Sequence, residues 1–240
     1  MRGPAPFADP NLDALLDEVY ETAENDPEAA LARLDEAGAE SAEHPEVLVC
    51  RGELVWTIQG PEAAQPYFER AVAAAPDFAD ARYVLGEIHG LLGEEDERVA
   101  HNLEVLRLDA ATDLGDGIGS PEDQKFIAET AEEVIAGIPE EFRDRLANVP
   151  VVLEARPGKS LVGEGFDPRA LGMFEGADDY GQRTRGADPV PTRIVLFYAN
   201  LLASFPDEDE LREEIEVTIL HEVGHFFGLD EADMERLGLE

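Results

Sequence analysis

From residue 11 to residue 108, apolar positions recur at three- and four-residue spacing, and the stretch reads as helix after helix. Residues 109–121, DAATDLGDGIGSP, break that rhythm, and their three Gly, three Asp and Ser-Pro predict a linker. Beyond it the pattern mixes. Pro121-Glu122-Asp123 opens a helix whose apolar stripe is Phe126, Ile127, Ala131, Val134 and Ile135. Pro139 restarts a short helix through about Leu146. Runs at 151–153, 171–174 and 194–197 predict strands, and 157–191 reads mostly as loop around the middle one. Glu208 begins the last long helix, with Leu211, Ile215, Ile219, Leu220 and Val223 on its apolar face. The expectation is an all-α domain over 11–108, a linker over 109–121 and an α+β domain over 122–240.

The helical half repeats itself at a period of 34. Pro27-Glu28-Ala29-Ala30 matches Pro61-Glu62-Ala63-Ala64; Leu34, Asp35 and Ala37 match Phe68, Glu69 and Ala71; Gly52 and Gly86 are also 34 apart. That period with helix–turn–helix content resembles tetratricopeptide repeats. The unit over 45–78 fits best, with Gly52, Ala64, Phe68, Ala71 and Pro76 at its small, aromatic and terminating positions. Small residues let paired helices approach, Phe68 fills the gap, and Pro76 stops the second helix. The outer units are weaker: Asp17 and Glu18 take the usual Leu and Gly positions of the first, and the third drifts after Gly93. The resemblance implies helical hairpins that recruit a protein partner. Trp56, Tyr67 and Tyr83 read as core aromatics before groove residues.

Charge narrows the partners. Asp and Glu number 55 against 18 Lys and Arg, a net charge of −37, spread over both halves. A chain so acidic is not expected to grip nucleic-acid phosphates or an anionic membrane surface. With 44% hydrophobic residues, it is not a wholly disordered chain. Cys50 is the single cysteine, so no internal disulfide can form. The first residues carry no apolar signal segment, and the longest apolar-rich run, 194–205, is too short to span a bilayer. A soluble, cytoplasmic protein is the expectation.

Chemistry concentrates in the last helix, at His221-Glu222-Val223-Gly224-His225. Imidazoles at i and i+4 stack one turn apart on one face, where both can reach a single cation at about 2.0–2.1 Å. Zn2+ suits two neutral imidazoles and a carboxylate. Glu222 is then the candidate general base toward a zinc-activated water that attacks a peptide bond. Gly228 follows where the helix must break, and acids come next at Asp230, Glu231 and Asp233. His44, His89 and His101 sit among the repeats and read as structural or solvated. A calcium loop from Asp109, Asp113 and Asp116 lacks the ligand spacing of that motif.

The string HEVGHFFGLDE, residues 221–231, resembles the HExxHxxGxx(D/E/H) signature of zincin metallopeptidases. All of 122–240 is similar to the small bacterial minimal zincins. The carrying segments are Ile138-Pro139-Glu140-Glu141-Phe142, Asn148-Val149-Pro150-Val151-Val152, Leu171-Gly172-Met173-Phe174-Glu175-Gly176, Ile194-Val195-Leu196-Phe197 and Thr218-Ile219-Leu220, in family order. The resemblance implies a zincin-like α+β domain with a short mixed sheet over the active-site helix. It implies Glu231 as third metal ligand, with Asp230 the alternative and Asp233 behind it. It also implies an edge strand at Leu171, Gly172, Met173 and Phe174 that takes an extended peptide by strand addition. Tyr180 is a candidate oxyanion helper. The function expected is a zinc-dependent peptidase whose repeats recruit partner or substrate. The alternative is an interaction protein in which the zincin fold is a metal-stabilised, non-catalytic module.

Overall fold

The computed structural model describes residues 10–35, 41–176 and 192–237, without the side chains of residues 10, 11, 231, 235 and 237. Proline stands at the first position of α1 (Pro10–Ala23), α2 (Pro27–Asp35), α3 (Pro45–Gln59) and α4 (Pro61–Ala74), where its missing N–H leaves no helical bond unmade. Helices α5 (Ala79–Leu91) and α6 (Glu95–Asp116) complete this helix-rich part.

Glycine sets how closely the pairs approach. A Cβ on Gly52 of α3 would stand 2.6 Å from Phe68 Cε2 of α4, and one on Gly86 of α5 would stand 2.7 Å from Asn102 Oδ1 of α6. Phe68 is fully buried, with Val55, Ala64, Ala71, Leu85 and Ile88 around it. Trp56 and Tyr67 pack against that core, partly buried. Tyr83 instead donates its hydroxyl to Asp167 Oδ2 at 2.9 Å. His89 Nδ1 lies 2.6 Å from Glu94 Oε2, and its ring stacks on His101 at 5.3 Å. His44 precedes α3 as its N-cap.

Helix α6 runs on through residues that read as linker. Asp109 is buried, and Asp113 accepts two hydrogen bonds from the buried Arg156, at 2.6 and 2.8 Å. Arg156 also donates to Asn200 Oδ1, and Asn200 Nδ2 donates to the Ala170 carbonyl at 2.6 Å. Asp113 is thus an ion-pair partner rather than a solvated loop acid.

After α6 comes α7 (Pro121–Gly137), entered through a capping box in which Ser120 Oγ accepts from the Asp123 N–H and Asp123 Oδ2 accepts from the Ser120 N–H. Helix α8 (Glu140–Arg143) leads through a 3-10 turn to β1 (Val151–Glu154), α9 (Lys159–Gly163), β2 (Gly172–Glu175), β3 (Arg193–Phe197), α10 (Tyr198–Ser204), α11 (Glu208–Phe226) and α12 (Glu231–Leu237). The sheet is small and mixed, in the order β1-β3-β2: β1 runs parallel to β3 and β2 antiparallel. Strand β3 is central and buried. Ile194, Leu196, Ile215, Ile219, Val223 and Phe226 form the heart of a core between sheet and helices.

Two sequence expectations change here. The strand expected over 194–197 is followed at once by helix α10 within the apolar run to 205, and the stretch 157–191, expected to be mostly loop, contains α9. Among the described residues the chain separates into two compact units. One joins the helices up to Asp109 with Lys159–Pro168; the other joins Ala110–Gly158 with the chain from Arg169 onward. No described helix is long and apolar enough to cross a membrane.

Candidate metal centre

Helix α11 begins at an Asp207 N-cap, whose Oδ1 accepts from the N–H groups of Asp209 and Glu210 at 2.9 and 3.2 Å. It carries the three motif side chains at its far end. Thr218, Glu222 and Gly224 are buried there, while His221 and His225 are half-buried. The two imidazoles converge: Nε2 to Nε2 is 3.0 Å, with the rings at 81°. Two nitrogens of one tetrahedral zinc, each at about 2.0–2.1 Å, stand about 3.3 Å apart, so this pair fits a shared cation with a small adjustment.

What holds His225 is the way the helix ends. Gly228 has φ +81, the left-handed conformation that favours glycine. The Leu229 N–H returns to the Gly224 carbonyl and the Gly228 N–H to the His225 carbonyl, both at 3.0 Å, which is a Schellman closure. That turn brings the Leu229 carbonyl to 3.3 Å from His225 Nδ1. A carbonyl can only accept, so Nδ1 is the donor, and in the neutral ring the lone pair stands on Nε2. The sequence identified Gly228 as a helix breaker; a glycine at that position also carries a signal for the returning carbonyl.

Gly224 has its own task, since a Cβ there would run into the Met234 thioether of α12. Asp230 caps α12. Its Oδ1 accepts from the Asp233 N–H at 2.9 Å, and Asp233 Oδ2 accepts from the Asp230 N–H at 3.3 Å. Asp233 also accepts from Arg236. Both aspartates are thereby engaged in holding the start of α12. Glu231 is the first residue of α12, and its side chain lies outside the described residues. Tyr180 lies outside them as well. Among the described residues, no group of three His, Cys, Asp or Glu gathers for a metal.

Strand β2 runs along the motif helix. Gly172 faces Thr218 and Glu222, a Cβ there standing 3.4 Å from Glu222 Cγ, and Phe174 packs edge-on against Phe226 at 5.9 Å. Within the sheet β2 pairs with β3 alone among the described residues. Thr218, one turn before Glu222, belongs to this contact; the sequence named it only within the segment Thr218-Ile219-Leu220, with no role, and a threonine on the apolar side of the helix is the signal for one. The arrangement offers two convergent imidazole nitrogens, a buried carboxylate beside them and a sheet edge along the same helix.

Residues 146–239 match the model of the zincin-like metallopeptidase family. That zincin-like region spans the sheet and every element from β1 to α12, and covers under half of the chain. No curated protein matches the chain. The HEVGH residues, the Gly228 turn and the Asp230 cap all fall inside the zincin-like match, whereas α1 to α7 lie outside it.

Proposed function

We propose that the chain is a zinc-dependent peptidase. The observation that carries this reading is the approach of His221 Nε2 and His225 Nε2 to 3.0 Å at the end of α11, inside the zincin-like match. His221 and His225 would hold the ion through Nε2, with Glu231 as third ligand. Bound zinc supplies a Lewis acid and makes hydroxide available near neutral pH. Glu222 accepts the proton from the attacking water and returns it to the leaving amine, and its burial keeps bulk water from competing. The side of β2 away from β3, unpaired among the described residues, hydrogen-bonds an extended peptide along residues 171 to 174 and sets its direction over Glu222. The Leu229 carbonyl fixes the His225 tautomer throughout.

Helices α1 to α6 act in this reading as tetratricopeptide-like hairpins that recruit a partner or substrate. The glycine-mediated approaches at Gly52 and Gly86, spaced by the 34-residue period, support it. The net charge of −37 argues for protein rather than nucleic-acid partners.

The test is zinc content and peptide cleavage of the full chain beside Glu222→Gln. Wild type is expected to carry one zinc and to cleave. Glu222→Gln should keep the zinc and lose about 10²–10⁴-fold in rate. A wild type without zinc overturns the reading. Zinc without cleavage, in both proteins, favours the metal-stabilised interaction module instead.

A further inference from the structure

We propose that a cavity on the far side of α11 binds a neutral, apolar small molecule. The cavity measures about 530 Å³, within the range of small-molecule sites. It opens among α7, α8 and α11, and its walls include Val134, Ile138, Leu220, Val223 and Phe227. Leu220, Val223 and Phe227 recur at i, i+3 and i+7. With about 100° per residue they lie opposite the stripe of His221 and His225, and neither imidazole lines the cavity. Gly224 and Leu229, whose turn holds His225, also line it, so the cavity backs onto the candidate metal centre without including either imidazole, and it does not rest on the peptidase reading.

Its mouth is unusually apolar for so acidic a chain. Phe142 lines it with 40% of its surface exposed, and meets Phe227 edge-on at 5.4 Å. That ring carries the apolar lining of the cavity out to its rim. Gly137, at the end of α7, also faces the opening, and a Cβ there would meet nothing within 4 Å.

The charges around the cavity decide the ligand's charge. Arg212 donates to Glu133 Oε2 at 3.0 Å and lies over the Phe126 ring at 5.0 Å. Arg145 lies over the Phe227 ring at 4.5 Å. Glu216, the remaining charged wall residue, is exposed to water. Both cations are already engaged and a net charge of −37 repels an anion, while a cation would find only Glu133, already paired with Arg212, and the water-exposed Glu216, a surface pairing worth little. An uncharged aromatic or aliphatic body is what this lining accepts.

The experiment uses the full chain and two fluorescent probes of one shape: uncharged N-phenyl-1-naphthylamine and its sulfonate, 8-anilinonaphthalene-1-sulfonate. The neutral probe should saturate at one site, and the sulfonate should bind at least tenfold more weakly. Gly137→Phe, which fills the opening, should weaken the neutral probe at least tenfold while circular dichroism stays native. Phe142→Ala, a surface change that leaves the fold alone, should weaken it several-fold and decides the matter if Gly137→Phe does not fold. No saturable neutral binding, or affinity unchanged in the folded variants, overturns the proposal. Tighter binding of the sulfonate overturns the neutral ligand and assigns Arg212 to an anion.

Discussion

Gly172 of β2 lies directly on Glu222 of α11. A Cβ at 172 would stand 3.4 Å from Glu222 Cγ and 2.6 Å from Thr218 Cγ2. No side chain has room between strand and helix. Valine is otherwise a good strand residue, yet Gly172→Val should destabilise by about 1–3 kcal/mol through overpacking. Urea denaturation measures this, with Met173→Val, on the alternate face of the strand, as the control. A Gly172→Val midpoint equal to wild type would show that β2 does not lie on the helix.

The aspartates after the motif separate from the glutamate by test. Asp230→Ala removes the α12 cap and should cost about 1 kcal/mol of stability. It should keep zinc, since its carboxylate is engaged with the Asp233 N–H. Glu231→Ala should lose zinc with little change in metal-free stability. Zinc titration of both variants beside thermal melts checks the pair; zinc loss in Asp230→Ala alone would make Asp230 the ligand.

His101 makes stability depend on pH. Burial first, then the neighbouring His89 and Arg82 charges, push its pKa down to about 4 from an ordinary 6.5. Its Nδ1 is buried without a hydrogen-bond partner. The folded state therefore favours the neutral ring, while the unfolded chain takes up a proton below 6.5. The stabilisation is fully present above 6.5 and is lost as pH falls toward 4. With screening of a half-exposed ring, the loss should be on the order of 1–2 kcal/mol. Urea midpoints at pH 7.5, 5.5 and 4.5 record it, and His101→Leu should flatten that part of the profile.

Tyr83→Phe deletes the hydroxyl that reaches Asp167. The loss should be about 0.5–1.5 kcal/mol, seen as faster amide exchange over 159–168. Arg98 Nη1 donates to the Gly165 carbonyl at 2.9 Å and should keep the segment partly protected. For the same reason a fragment ending at residue 110 should melt below the helical unit of the full chain.

Much of the zincin-like region was legible because its signals are local. The HEVGH helix, its Gly228 stop and the runs that became β1 to β3 each lie within a short window, and the observed strands differ from the expected ones by a residue. The C-terminal part of α6 was hidden for the opposite reason. Three glycines and three aspartates read as linker, while the ion pair that helps hold the helix joins Asp113 to Arg156, 43 residues away. Helix α10 was hidden because an apolar run carries no mark of where strand turns to helix. The capping role of Asp230 was not legible, because spacing reports a carboxylate but not that its Oδ1 accepts from the Asp233 N–H at the start of a helix.

The helical unit is assembled from two stretches of chain, and this fixes an order of events during synthesis. Its last piece, Lys159–Pro168, is translated only after α6, α7 and β1. At about 5–20 residues per second, roughly 3–12 s pass between Asp109 and Pro168. Val162 is fully buried and Asp167 accepts from Tyr83 in the finished unit. Through that interval the nascent helices wait with those positions unfilled, a surface that a chaperone can hold until the segment arrives.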